Sequence, residues 1–271
     1  MTLKSRLQGI PVTARWGTGL LVAIAVAGWL VPLLSPYGVT SNTGDALAAP
    51  SFTYLFGTDN LGRDVFTRTF AAAQLDLGIA LVGVTIPLIV GTLIGALAGT
   101  TAFRFARGFV KIIIDGVNAI PFIVLALAVI AIVGTGVGAV LLAIGVSTWA
   151  RYATLARTRA SVIRDVDFVS AMHVLGYRRS RILVRHVLPN VFRESIAYGI
   201  SDFTIVILTV ASLSFLGAGI RPPTPEWGSM IADGRLYLVS APWVLIGPGI
   251  VLTLTGFAAS LIGEGTRRRD A

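Results

Sequence analysis

Five apolar runs without a single charge set the rhythm of this chain: Trp16 to Gly44, Leu77 to Phe103, Gly116 to Ala150, Phe203 to Ile220 and Leu236 to Gly263. A helix needs about 20 residues to cross a hydrocarbon core. The third run is too long for one crossing and breaks at Gly134-Thr135-Gly136-Val137-Gly138, so it supplies two. The pattern predicts six membrane helices, over roughly 17–34, 76–100, 109–134, 137–158, 195–219 and 243–263. Continuous apolar runs, not alternating ten-residue segments, favour a helical bundle over a barrel. Trp16, Trp29, Trp149, Trp227 and Trp243 fall near the predicted span ends, where an indole is comfortable at the membrane interface.

Composition sharpens this to an all-α membrane protein. Of 271 residues, 55% are hydrophobic and only 13% charged, with a mean hydropathy of +0.81. A soluble domain of this length needs more polar surface. With no cysteine, disulfides and thiolate metal sites are excluded and the redox compartment stays open. The first apolar run is too long for a signal-peptide core and reads as a retained span.

The basic residues orient the bundle. Lys4, Arg6 and Arg15 precede span one; Arg104, Arg107 and Lys111 fall between spans two and three; nine arginines lie from Arg151 to Arg193; Arg267, Arg268 and Arg269 close the chain. Only Arg63, Arg68, Arg221 and Arg235 fall on the other side. That asymmetry predicts both termini in the cytoplasm. The net charge of +9 is thus a topology signal, and nucleic acid is not an expected partner. The expected organisation is a cytoplasmic segment 1–16, a first span with its periplasmic segment over 17–75, a five-span core over 76–263 carrying a cytoplasmic loop at 159–194, and a tail at 264–271.

One polar stretch, DFVSAMHVLGYRRSRILVRHVLPN from Asp167 to Asn190, stands out between spans four and five. Asp167 suits an N-cap; Phe168, Ala171, Met172 and Leu175 share a helical face; Gly176 can end the helix in the left-handed conformation. Ser180 can cap a second helix whose end is set by Pro189. The first helix, about 12 Å long, either lies on anionic lipid headgroups or docks a partner. Capping at both ends favours the docking helix.

These residues resemble a known family. Ser170-Ala171-Met172-x₃-Gly176-x₉-His186-x-Leu188-Pro189 is similar to the EAA loop of ABC-importer permeases, usually E-A-A-x₃-G-x₉-I-x-L-P. Phe56 to Arg68, FGTDNLGRDVFTR, resembles the GTDxLGRDxxSR segment of the C-type permease of dipeptide, oligopeptide and nickel importers. Ser212 to Gly228, SLSFLGAGIRPPTPEWG, is similar to that subfamily's fifth-span exit. Ser170 stands where the family has Glu, removing a carboxylate that could pair with a basic group on an ATPase.

The resemblance implies a type I ABC-importer permease fold, pairing with a second homologous permease, two ATPase subunits and an extracytoplasmic substrate-binding protein in a bacterial inner membrane, in contact with lipid. It implies ATPase coupling through Asp167, Phe168, Ser170, Ala171, Met172, Leu175, Gly176, Leu188 and Pro189. It also implies that ATP and magnesium are bound by the partners, with no cofactor in this chain. Peptide is the first expected substrate, with nickel, another metal chelate or haem as the alternative. The segment with Asp59, Asn60, Gly62, Arg63 and Asp64 is expected to form a structured periplasmic element against the second permease or the binding protein.

Single polar residues in the spans carry less. Asp115 is placed for an ion pair with Lys111. Asn118 could line a translocation path or bond a neighbouring helix; Asp202, with no basic residue within a turn, is either a path residue or has a partner on another helix. His173 and His186 lack carboxylate or Cys company, so no metal site is expected. Pro87 and Pro121 should kink their helices, Pro121 being the better hinge. No Walker-type G-x-x-x-x-G-K-[ST], H-E-x-x-H or G-x-S-x-G occurs, so the chain reads as no enzyme. An ion-coupled secondary transporter is the competing class; the basic hairpin and the scarcity of carboxylates in the spans argue against it.

Overall fold

A computed structural model describes residues 11–101, 103–164, 166, 172 and 174–270, with side chains to Gly265. Among the described residues nine α-helices follow in order: α1 Val12–Leu34, α2 Val65–Thr100, α3 Arg104–Ala119, α4 Phe122–Val133, α5 Val137–Arg164, α6 Arg179–Ile182, α7 Leu188–Phe215, α8 Trp227–Gly234 and α9 Trp243–Asp270. A π turn, Leu183–Val187, joins α6 to α7, and a 3₁₀ turn, Arg235–Tyr237, follows α8. Among the described residues no β-strand forms; Thr58 and Asp64 make one isolated antiparallel bridge.

Among the described residues five helical stretches are long and apolar enough to cross a membrane, and six if the pair α3 and α4 counts as one. That pair corrects the expected continuous span at 109–134: the two helices are bent by 93°. Pro121 has no N–H and drives the residue before it out of the α region. Ile120 is accordingly extended, at φ −82° and ψ 129°. Pro87, by contrast, is carried inside α2. At about 1.5 Å per residue, the 36 residues of α2 reach about 54 Å and outrun a ~30 Å hydrocarbon layer.

Pro189 also departs from expectation. It ends no helix; the chain is helical from Arg179 to Phe215. The π turn immediately before it shifts the hydrogen-bond register, with the Leu188 N–H donating to the Leu183 carbonyl, so a missing N–H and a bulky ring fit without breaking the rod. The Asn190 side chain donates to the His186 carbonyl at 2.7 Å. Ser180 lies within α6 and caps nothing; Arg178 holds the N-cap position.

The chain divides into two compact units: one takes in the residues up to Val82, Ile130–Val140 and those from Ile200 onward, the other Gly83–Val129 and Leu141–Gly199. In the first, α1 packs on α9 through small residues; a Cβ on Gly17 would meet Ala258 and Leu261, and one on Gly265 would meet Ala14. In the second, Gly91, Gly95 and Gly99 present one bare stripe of α2 to α5. Cβ atoms there would strike the carbonyls of Trp149, Ala153 and Arg157 and the side chains of Tyr152, Ala156 and Ala160. Membrane helices gain attraction by such backbone-close packing, because lipid offers apolar side chains no incentive to associate. Around this crossing Ala96, Ala156, Ala160, Ile182, Val187 and Val191 form a buried apolar cluster.

Candidate functional site

The hairpin before α7 was the strongest local signal, and its second half is described. Met172 and Val174 are helical. Gly176 takes φ +80°, and the Tyr177 N–H donates back to the Met172 carbonyl at 3.0 Å. That six-to-one bond past a left-handed glycine is a Schellman ending, so Gly176 terminates the helix as its sequence position implied. Asp167, Phe168, Ser170 and Ala171 lie outside the described residues.

The apolar residues of this helix do not share one fate. Met172 packs inward against the cluster around Ala96 and Ala160, as do Leu183 and Leu188. Val174 and Leu175 stand out instead, 89% and 74% exposed. Beside them an open cleft of about 640 Å³ is lined by Leu175, Tyr177, Arg178, Arg181 and Val184. The Arg181 guanidinium lies over the Tyr177 ring, 5.1 Å from its centroid. The surface thus joins two exposed aliphatic side chains to arginines, a chemistry suited to a protein groove with apolar walls and acidic edges. Behind it Arg159 and Glu194 tie α5 to α7 through an ion pair at 2.5 Å, and buried Thr92 and Ser195 tie α2 to α7 at 2.8 Å.

The segment 35–64 is a built layer. The Asp59 carboxylate accepts from the Leu61 and Arg63 amides at 2.8 and 3.1 Å and pairs with the guanidiniums of Arg63 at 2.6 Å and Arg68 at 3.6 Å. Among the described residues Asp64 joins no ion pair: it caps α2, accepting from the Thr67 amide at 2.7 Å and the Thr67 hydroxyl at 2.5 Å. Gly62, at φ +72°, backs onto the Gly44 carbonyl with no room for a Cβ. Of the five residues expected to meet a partner, only Asn60 is exposed. Asp59, Gly62, Arg63 and Asp64 are buried.

A second device locks this layer to the segment after α7. Glu226, fully buried, takes the Gly228 amide at 2.8 Å on one oxygen and the Ser229 amide at 2.7 Å on the other, as N-cap of α8. Asp76 of α2 takes the Trp227 amide at 3.0 Å, and the Trp227 indole donates to the Thr69 carbonyl at 2.8 Å. Burial raises the Glu226 carboxyl above its ordinary range, while the two amide bonds act against that rise. Arg68 donates to the carbonyls of Val39 at 2.8 Å and Pro223 at 3.4 Å, and the Trp243 indole to that of Thr58 at 3.2 Å. Trp227 is therefore a core residue, not a member of an interfacial aromatic belt. Sequence reading missed Asp76 and Glu226 because their partners lie far along the chain; the one local cue was Glu226 just before Trp227-Gly228-Ser229.

The residues proposed for a path lie in different units. Asn118 is exposed on α3 and donates to the Thr154 hydroxyl at 3.1 Å. Asp202 is buried on α7. Lys111 and Asp115 form the expected pair, at 3.5 Å, with both side chains exposed. Among the described residues no cluster of His, Cys, Asp or Glu has the makings of a metal site.

Comparison with known proteins places these features. Residues 91–268 match the family described as "Binding-protein-dependent transport system inner membrane component". The chain is 35% identical over 253 residues to the dipeptide transport system permease protein DppC of Alkalihalophilus pseudofirmus, covering 93% of this chain and 83% of that one. It is 36% identical over 260 residues to the di/tripeptide transport system permease protein DppC of Pseudomonas aeruginosa, covering 93% and 85%. It is 34% identical over 262 residues to the glutathione transport system permease protein GsiD of Pectobacterium atrosepticum, covering 96% and 86%. In fold it is similar to a crystal structure of an amino acid ABC transporter with histidines, at a TM-score of 0.56 and 16% identity over 74% of this chain and 94% of that one.

Proposed function

The chain belongs to the binding-protein-dependent transport system inner membrane components, the permeases of bacterial ABC importers, and on that premise we propose that it imports short peptides as one of two non-identical permeases. It is a transport subunit and not an enzyme. Its relatives named for dipeptides, di/tripeptides and glutathione support a peptide-sized cargo. In this reading both termini and the hairpin face the cytoplasm. The 35–64 layer faces outward, toward a binding protein that delivers the peptide. Two ATPase subunits carry ATP and magnesium, and each permease engages one of them.

The observation that carries the coupling reading is the Gly176-closed helix end feeding an uninterrupted 37-residue helix, Arg179–Phe215. Val174 and Leu175, with Arg178 and Arg181, form the surface for the ATPase groove. A displacement imposed there travels along a rod, which a floppy linker would absorb. The inward packing of Met172 anchors the short helix to the crossing of α2 and α5.

Reconstitution in proteoliposomes tests the reading. The chain with its companion permease, ATPases and binding protein takes up labelled dipeptide when ATP is supplied; the purified chain alone takes up none. Uptake by the single chain without ATPases would overturn the proposal. Uptake of a nickel chelate or haem in place of peptide by the complete assembly would overturn the cargo alone.

A further inference from the structure

We propose that an open cavity at the C-terminal end of α1 binds an aminophospholipid, with the primary ammonium on the Asp64 carboxylate and an acyl chain along α1. This needs only the membrane location of the chain and is independent of its cargo. The cavity, of about 410 Å³, has a mostly apolar wall built from Leu30 and Leu34 of α1 and Phe52 and Leu55 of the loop layer, and Asp64 lines it too. Because α1 is long and apolar enough to cross a membrane and ends at Leu34, the cavity sits where hydrocarbon gives way to headgroups. A water occupies about 30 Å³ of liquid, so the space admits an ethanolamine and the phosphate that carries it.

Asp64 is 3% exposed, and its two oxygens differ. Oδ2 takes the amide and the hydroxyl of Thr67. Oδ1 is buried and, among the described residues, has no hydrogen-bond partner. The donors beside it are spent elsewhere. The Thr67 hydroxyl gives its proton to Oδ2, so the Ser35 hydroxyl is the donor to Thr67, at 2.7 Å. The Tyr37 amide donates to Ser35 at 3.1 Å and the Tyr37 hydroxyl to the Thr53 carbonyl at 3.0 Å. A buried carboxylate oxygen left without a donor is costly, and an ammonium N–H answers both its charge and its lone pairs. Among the described residues no lysine or arginine lines the cavity, so a headgroup with net negative charge finds no counter-ion in it.

The approach to the cavity points to an amphiphile in preference to a free amine. Val22, Val26, Leu30 and Leu34 recur at every fourth residue of α1, and all four are exposed. At ~1.5 Å per residue they make an aliphatic track about 18 Å long that ends in the cavity, and one leaflet of a ~30 Å core is about 15 Å deep. Phe52 and Leu55, also exposed, continue the apolar surface on the loop side. A track of this length leading to one unanswered carboxylate oxygen suits a lipid whose headgroup still carries N–H donors.

The test uses the importer assembly purified in neutral detergent. It is titrated with phosphatidylethanolamine, phosphatidylcholine and phosphatidylglycerol of identical acyl chains, reading retained lipid by native mass spectrometry and the thermal unfolding midpoint. Phosphatidylcholine has the same net charge as phosphatidylethanolamine but no N–H, so the pair isolates the hydrogen bond. Phosphatidylethanolamine is expected to be retained and to raise the midpoint, where the other two do so about tenfold more weakly. Asp64→Asn keeps a capping oxygen for α2 and should abolish the preference for phosphatidylethanolamine. Asp45→Asn, at an exposed carboxylate of the same layer, should leave it unchanged. Equal retention of phosphatidylethanolamine and phosphatidylcholine, or a preference that survives Asp64→Asn, would overturn the proposal. Displacement of the lipid by a dipeptide would also overturn it, assigning the carboxylate to a peptide amino terminus. If the Asp64 variant does not assemble, the wild-type titrations decide it.

Discussion

At the scale of the residue, three buried carboxylates work as caps. Glu226 holds two amides of α8, Asp76 a third, and Asp64 the first turn of α2. Because burial raises the Glu226 carboxyl, the folded chain holds that proton more tightly than the unfolded one. The resulting stabilisation is complete below the ordinary glutamate range and is lost as pH rises through the raised folded value. Glu226→Gln should therefore flatten the fall of the thermal midpoint with rising pH, while lowering the midpoint itself through the loss of about 1 kcal/mol of cap stability. An unchanged pH slope would show that Glu226 does not titrate there. Gly176 makes the complementary case. A Cβ there meets nothing within 4 Å, so its φ of +80° is the whole obstacle to substitution. Gly176→Val should cost about 1–2 kcal/mol of local backbone energy and uncouple ATP hydrolysis from uptake, and Gly176→Asn should retain coupling. Coupled, wild-type uptake by the valine variant would remove the hairpin from the mechanism.

At the scale of the element, α2 is two surfaces on one helix. Its Gly91, Gly95 and Gly99 face is closed by α5, while a Cβ on Gly78 meets nothing within 4 Å. Gly95→Leu should force the backbones apart and lower the thermal midpoint, by at least the 1–3 kcal/mol typical of overpacking, where Gly78→Leu should be tolerated. Equal effects of the two would sink the role of the stripe. The limits of sequence reading show here too. Span positions and the Gly176 stop were legible, because periodicity and left-handed glycines are local properties. The break at Pro121 was legible as a hinge, but its 93° was not, since an angle depends on what each half packs against. The glycine spacing was visible in the letters, yet only α5 gives it a meaning. That Asp59 and Arg63 belong to a structured element was legible, but their burial was not, because nothing local reveals that a loop has turned them inward.

At the scale of the whole molecule, the loop layer and the hairpin are built to different standards. The layer around Asp59, Arg63 and Arg68 is fastened by internal bonds, so trypsin should spare Arg63 and Arg68 in the intact assembly, while the exposed Arg235 is cut first. Early cleavage at Arg63 would mean that the layer opens readily. The hairpin, by contrast, hangs on the one long rod, and there the π turn has a consequence of its own. A π turn is an α-helix holding one residue more than its turns require. In this rod the surplus sits directly before Pro189, the residue that could not join an ordinary ladder. A residue inserted or deleted elsewhere in the rod would swing the hairpin by about 100° around the axis. Excising Pro189 should instead cancel the surplus and remove its cause in one step. The helix would close to uniform pitch with the hairpin still facing its original way, which amide hydrogen exchange would register as slower exchange across 183–187 with helix content unchanged.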